Sequence, residues 1–152
     1  MVRSIVASLW ITVMAVGCFW TTPAHGFDQK QLQQLLTTNQ CPRCDLSGAS
    51  LSGANLYKAN LSGANLAGAY LSDSDLGGVN LSKANLAGAY LNYAFLAYAD
   101  LSGANLTEAN MFFVVLIDAN LKGAILSGTK LSATIWVDGV RCAEGSKGEC
   151  KK

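Results

Sequence analysis

Between residues 44 and 133 every fifth residue is large and apolar. It is Leu from Leu46 to Leu131, with Met111 the single exception. Two places before it stands a small residue, nearly always Ala, replaced at Cys44, Ser74, Val79, Val114 and Thr129. The place just before it is most often Asn or Asp. The two places after it are mainly Ser, Gly or Ala, with Lys and aromatics among them. Eighteen such units cover ninety residues without an insertion. A period of five fits neither a helix nor a strand. A strict short period is instead the signature of a solenoid.

One unit cannot stand alone. Ordering five residues costs ~7 kcal/mol, while burying one Leu returns ~1.5–3 kcal/mol. The units must therefore stack, share one core and pair their backbone groups between successive coils. Leu points inward from each side of the coil. Ala at the second inward place leaves room for the other sides, and a larger residue there would overpack the axis. Asn, Asp, Ser and Gly elsewhere suit tight turns and solvent.

The pattern Ala-(Asn/Asp)-Leu-x-x over residues 44–133 resembles the pentapeptide-repeat family. The resemblance implies an all-β solenoid, a right-handed quadrilateral parallel β-helix with four units per coil. The chain then makes about 4.5 coils, a column roughly 20 Å long at ~4.8 Å between paired strands. Four inward columns follow, headed by Leu46, Leu51, Leu56 and Leu61, each continued every twenty residues. The expected organisation is a leader at 1–26, an N-terminal capping helix and linker at 27–43, the β-helix at 44–135, and a C-terminal cap and tail at 136–152.

An open solenoid end exposes both core and strand edge, and both flanks have the composition of covers. Asp28 is placed as a helix cap, with Gln31 three residues on as its partner in a capping box. Leu32, Leu35 and Leu36 supply one apolar face, so a short helix is expected from Asp28 to about Thr37. At the other end Trp136 falls five residues after Leu131 and is expected to plug the last coil. Asp138-Gly139 then turns the chain out.

The first 26 residues have a different character. Arg3 precedes a mostly apolar run from Ile5 to Trp20, and Ala24-His25-Gly26 forms a small-x-small site. This is the layout of a secretory leader, and the run is shorter than the ~20 residues that comfortably span a bilayer. Cleavage after Gly26 is expected, with no stable membrane span afterwards. Lipidation at Cys18 and an uncleaved anchor are the alternatives. The expected location is the periplasm, or the thylakoid lumen in a cyanobacterium.

Cleavage would remove His25, the only histidine, and Cys18, one of five cysteines. Four would remain, and an even number in an exported chain favours disulfides. On a 20 Å column Cys41 should pair with Cys44, and Cys142 with Cys150, rather than end to end. Cys41-Pro42-Arg43-Cys44 also has the spacing of a redox or half-zinc motif, and free thiols or a redox-responsive role are the alternatives. A four-cysteine zinc site is excluded by the column's length. Asp73 and Asp75 occupy outward places on neighbouring faces, so a shared metal is not expected. Without a histidine the Ser and Tyr residues lack an activating base, and no phosphate-loop pattern occurs outside the repeat. No cofactor, no metal and no catalytic residue are expected, and the chain is not expected to be an enzyme.

Charge removes one further class. The formal net charge is +1, and charged residues make up 14% of the chain. There is no basic field for nucleic acid. Family members that mimic DNA carry long acidic columns, which this sequence lacks. What remains is the outward surface. The face centred on Leu51, Leu71, Leu91 and Met111 carries Tyr70, Tyr90, Tyr93, Phe112 and Phe113. Its neighbour, centred on Leu76, Leu96 and Leu116, carries Phe95, Tyr98, Val115 and Ile117. The other two faces are mainly polar. Contiguous exposed apolar surface marks interaction sites, and Tyr and Phe are favoured anchors. The expected function is an extracytoplasmic, non-enzymatic interaction or scaffold module, with an unidentified protein or a second copy as partner. The alternative is a purely structural envelope or lumenal protein in which the aromatics only stabilise coil stacking.

Overall fold

A computed structural model describes residues 27–152; the expected leader and Cys18 lie outside the described residues. The chain forms a continuous coil in which residue n pairs in parallel with residue n+20, from Gln40↔Asn60 through Val115↔Ile135. Each rung uses the same bonds. The N–H of the central Leu donates upward, as in Leu46 N to Asn65 O at 2.8 Å, and the residue before Leu in the next coil donates back, as in Asn65 N to Cys44 O at 2.8 Å.

Each corner is a tight turn. The small residue donates to the preceding Leu carbonyl, as in Ala49 N to Leu46 O at 3.0 Å. The residue just before it is left-handed, for example Gly48 at φ 68°. A left-handed third residue is what a type II turn demands, and it favours Gly. The pentapeptide is thus one short strand segment plus one such corner. Leu46, Leu66, Leu86 and Leu106 are fully buried, and most inward Ala residues are buried with them, Ala54 and Ala124 near the two ends being only half-buried.

The coil is longer than residues 44–135. Gln40 already pairs with Asn60, and Cys41 fills the inward Leu position of an additional unit below Leu61. The stretch assigned above to a linker therefore belongs to the column. At the far end Thr134-Ile135-Trp136-Val137-Asp138 is one more unit. Thr134 Oγ1 donates to Met111 O, and Trp136 is partly buried against the core, over the Leu116 column.

The N-terminal cap is α1, Gln29–Thr38, with Asp28 Oδ1 accepting from Lys30 N at 2.8 Å and Asn39 left-handed at the C-cap. Gln31 does not close a capping box. Its Oε1 instead accepts from Asp45 N at 2.6 Å, and Asp28 N donates to Asp45 O at 3.2 Å. These two bonds satisfy the edge of the first coil at Asp45, which is the stronger demand. Leu35 is buried and Leu32 partly so, but Leu36 is exposed. The apolar face of α1 is therefore narrower than the three leucines suggested.

The C-terminal tail does not merely turn outward. It folds back over two of the four faces, pairing antiparallel at Ile135↔Arg141 and Lys130↔Lys147. Leu131 N donates to Ser146 O and Ala133 N to Cys142 O. The exposed edge of the last coil is thus covered on the Leu131 and Trp136 faces. Above Leu121 and Leu126, both only partly buried, no such bond forms.

Replacing Ala104, which has no exposed surface, with Leu should overpack the axis and cost ~1–3 kcal/mol. Ser52→Gln, at an exposed corner, should leave stability within about 0.5 kcal/mol. Chemical denaturation measures both; equal losses would mean that inward and outward places are misassigned.

Candidate functional site

The four faces differ in what stacks along them. On the Leu46 face the residues before Leu form an amide ladder: Asn65 donates to Asp45, Asn85 to Asn65 and Asn105 to Asn85, at 3.0, 3.1 and 3.3 Å. The Leu61 face carries a single such rung, Asn120 to Asp100 at 3.0 Å. Hydrogen bonds from Ser47 hold the Asp45 carboxyl below its ordinary value, and Ser102 does the same for Asp100. Both carboxylates therefore favour folding above the ordinary carboxylate range, and that contribution is lost as pH falls through their lowered pKa.

On the Leu51 face, rings replace the ladder. Tyr70 and Tyr90 stack at 5.0 Å and 4°. One coil higher Tyr93 stacks on Phe113 at 5.4 Å, and Phe112 meets both edge-on, at 6.2 and 4.5 Å. Arg141 from the tail lies over the Phe113 ring at 5.5 Å. On the Leu56 face Phe95 pairs with Val115 and Val115 with Ile135. Phe95, Tyr98 and Ile117 are exposed, while Val115 is half-buried. The nine residues form two ring groups on one face and a looser apolar strip on the next. Among the described residues no ring contact joins the two faces.

Tyr57, not foreseen above, belongs to the same strip. A Cβ at Gly77 would lie 3.1 Å from the Tyr57 ring and 3.2 Å from the Phe95 ring, so both rings lean into the gap this glycine leaves. Stacking by twenty places Tyr57 below Gly77, but only the missing side chain there reveals why a ring fits.

Three aromatics occupy corners. Tyr93, Tyr98 and Phe113 have φ of 61°, 61° and 57°. The left-handed region costs a bulky L-residue ~1–2 kcal/mol relative to an ordinary conformation, and Gly, which avoids that cost, holds nine of the nineteen equivalent corners from Arg43 to Ala133. Tyr93 and Phe113 recover part of this through stacking. Tyr98 has no ring partner among the described residues and is 68% exposed.

The two cysteine pairs sit at bonding distance, with Cα–Cα separations of 5.4 Å for Cys41–Cys44 and 5.0 Å for Cys142–Cys150. Cys41 is fully buried and Cys44 nearly so. Cys41–Cys44 ties two inward positions of consecutive units; Cys142–Cys150 closes the tail. Among the described residues no cluster of His, Cys, Asp or Glu could hold a metal ion, and no helix is long and apolar enough to cross a membrane.

A stacked coil of five-residue units with small-residue corners defines a class, the pentapeptide solenoids. The model of the family described as pentapeptide repeats matches residues 44–82, 84–114 and 96–132, and the chain belongs to that family. Among solved structures it is similar to a pentapeptide repeat protein from the Arabidopsis thaliana thylakoid lumen. That match has 27% identity and a TM-score of 0.52, covering 77% of this chain and 88% of that one. It is also similar to one from Nostoc Pcc 7120, at 32% identity and TM-score 0.48 over 66% and 77% of the two chains. No curated protein sequence matches. The fold is accordingly a right-handed β-helix, and proteins of this family are generally non-enzymatic structural or interaction modules.

Non-reducing peptide mapping should recover Cys41 linked to Cys44 and Cys142 linked to Cys150. Changing Cys142 and Cys150 together to Ser should cost about 2–3 kcal/mol, from the loop the bridge closes. A link between the two ends of one monomer would contradict the pairing.

Proposed function

We propose that this protein is an extracytoplasmic, non-enzymatic docking module, and that the two aromatic faces are its contact surface for another protein or for a second copy of itself. The observation that carries this reading is Tyr98. It accepts left-handed backbone strain that Gly would avoid, yet its ring is mostly solvated and stacks on no other ring. Strained residues without local compensation point to function. Tyr and Phe also bury large apolar area at low side-chain entropy cost when a partner arrives.

Tyr70, Tyr90, Tyr93 and Phe113 are stacked in pairs, so on that face ring ladders also support the coils. Ladder and docking roles coexist there. A redox role for Cys41 and Cys44 is disfavoured by burial, since thiol exchange needs access for the attacking thiolate. Export rests on the leader-like first 26 residues. A thylakoid-lumen location is the one named for the Arabidopsis relative.

Tyr98→Gly tests the docking reading. Stability by denaturation should stay unchanged or rise by up to about 1 kcal/mol, while association in sedimentation and pull-down should weaken at least tenfold. A fall in stability of more than about 1 kcal/mol would make the ring structural. Unchanged association with an intact fold would remove Tyr98 from the interface.

Export is tested separately by sequencing the mature protein. Its N-terminus should be Phe27; an acylated Cys18 or a retained Met1 would reject cleavage after Gly26.

A further inference from the structure

A cleft of about 530 Å³ lies where the Leu51 face meets the folded-back tail, lined by Asn92, Tyr93, Asn110, Phe112, Lys130 and Lys147 among others. Its volume is in the range of small-ligand sites. Two independent features set it apart from the rest of the column.

The first is a pair of unengaged amides. In the repeat, eleven central residues are preceded by Asn or Asp. Ten of these side chains accept from the backbone N–H two residues on. Asn110 is the exception, and its side chain makes no hydrogen bond among the described residues. Asn92 Oδ1 is shielded from solvent and meets no donor. Buried polar groups are ordinarily satisfied, so the orphaned Asn92 oxygen, beside an Asn110 amide that lacks the turn bond of its counterparts, calls for a cause.

The second is a pair of opposed cations. Lys130 and Lys147 face each other directly in the antiparallel bridge between the last coil and the tail. Like charges in that relation destabilise a pairing. Lys147 has one loose anionic neighbour, Glu108 Oε1 at 3.8 Å, and both of those side chains are well exposed. Among the described residues Lys130 has no ion pair. An anion between the two ammonium groups would turn the repulsion into binding.

We infer that this cleft is a binding site for a sugar acid, a saccharide carrying a carboxylate. The carboxylate meets Lys130 and Lys147. The hydroxyls, each both donor and acceptor, engage the amides of Asn92 and Asn110. The C–H face of the ring packs on Tyr93 and Phe112. A simple aromatic acid leaves the amides idle, and a neutral sugar leaves the lysines repelling each other. The site shares Tyr93 and Phe112 with the aromatic Leu51 face, but it does not involve Tyr98 and does not depend on the docking reading.

The experiment is an NMR titration of the full mature chain at low ionic strength, following the side-chain amide signals of Asn92 and Asn110. D-glucuronate is the probe, with D-glucose, benzoate and an N-acetylated aspartyl dipeptide amide as comparisons. Glucuronate should shift both amides saturably and bind about tenfold more tightly than any comparison. Lys130→Gln should weaken it about tenfold without lowering the melting temperature, since it relieves the like-charge contact. Benzoate binding as well as glucuronate would overturn the sugar assignment in favour of a simple aromatic anion. Tighter binding of the dipeptide would overturn it in favour of a peptide. If no compound moves both amides saturably, the cleft is not a site. The titration of the unaltered protein decides among these outcomes whether or not the Lys130 variant folds.

Discussion

The twenty-residue register of backbone hydrogen bonds is the constraint on which everything else rests. No unit is stable by itself, so each coil holds its shape only because the coils above and below accept and donate at the same places. Leu46 N to Asn65 O and Asn65 N to Cys44 O are one instance of a bond pair that recurs around the column. That register aligns the inward leucines and fixes the corners in left-handed geometry. It also places outward residues twenty apart directly over one another. An insertion of one residue would shift every later contact, which explains why ninety residues pass without one.

The corner geometry links the fold to its surface. Gly satisfies a left-handed corner without strain, so any other residue there carries a local cost that something else must offset. Asp73, Lys83 and Glu108 are polar and solvated at such corners. Tyr93 and Phe113 offset the cost by stacking on each other. Tyr98 does not. The same backbone rule therefore sorts the aromatics into those that serve the column and one that points beyond it.

The regular part of this fold was legible because its signal is periodic. The five-residue spacing gave the inward columns, and stacking by twenty gave the aromatic faces. What escaped the sequence lay where a local signal competed with a demand from elsewhere. Gln31 has the spacing of a capping box, but the unpaired edge at Asp45 claimed it. Cys41 looked like linker because it is not Leu, yet it fills a Leu position in the coil. The tail carries no strand pattern, and it pairs only because the last coil leaves an edge open to Lys147 and Arg141. The cleft depends on that pairing, so Lys130 and Lys147 could not be brought together from sequence. Tyr57 was hidden for a subtler reason: its place depends on the side chain that Gly77 lacks.

The division of labour between inside and outside explains how such a repetitive core can carry a particular function. Inward positions are held to Leu and a small residue by volume, and they leave no freedom for chemistry. Outward positions bear only on their neighbours twenty residues away. Along Asp45, Asn65, Asn85 and Asn105 the neighbours bond one another in an unbroken amide ladder. The Leu51 face breaks this economy twice. Its ladder is replaced by rings at Tyr70 and Tyr90, and just above them Asn110 keeps an amide but loses its hydrogen bond. The tail then closes over the same face and sets Lys147 against Lys130. Irregularity is thus concentrated where the column meets its C-terminal cap. In a fold whose stability comes from repetition, departures that gather in one place and leave polar groups unmatched are the features that stability alone does not explain.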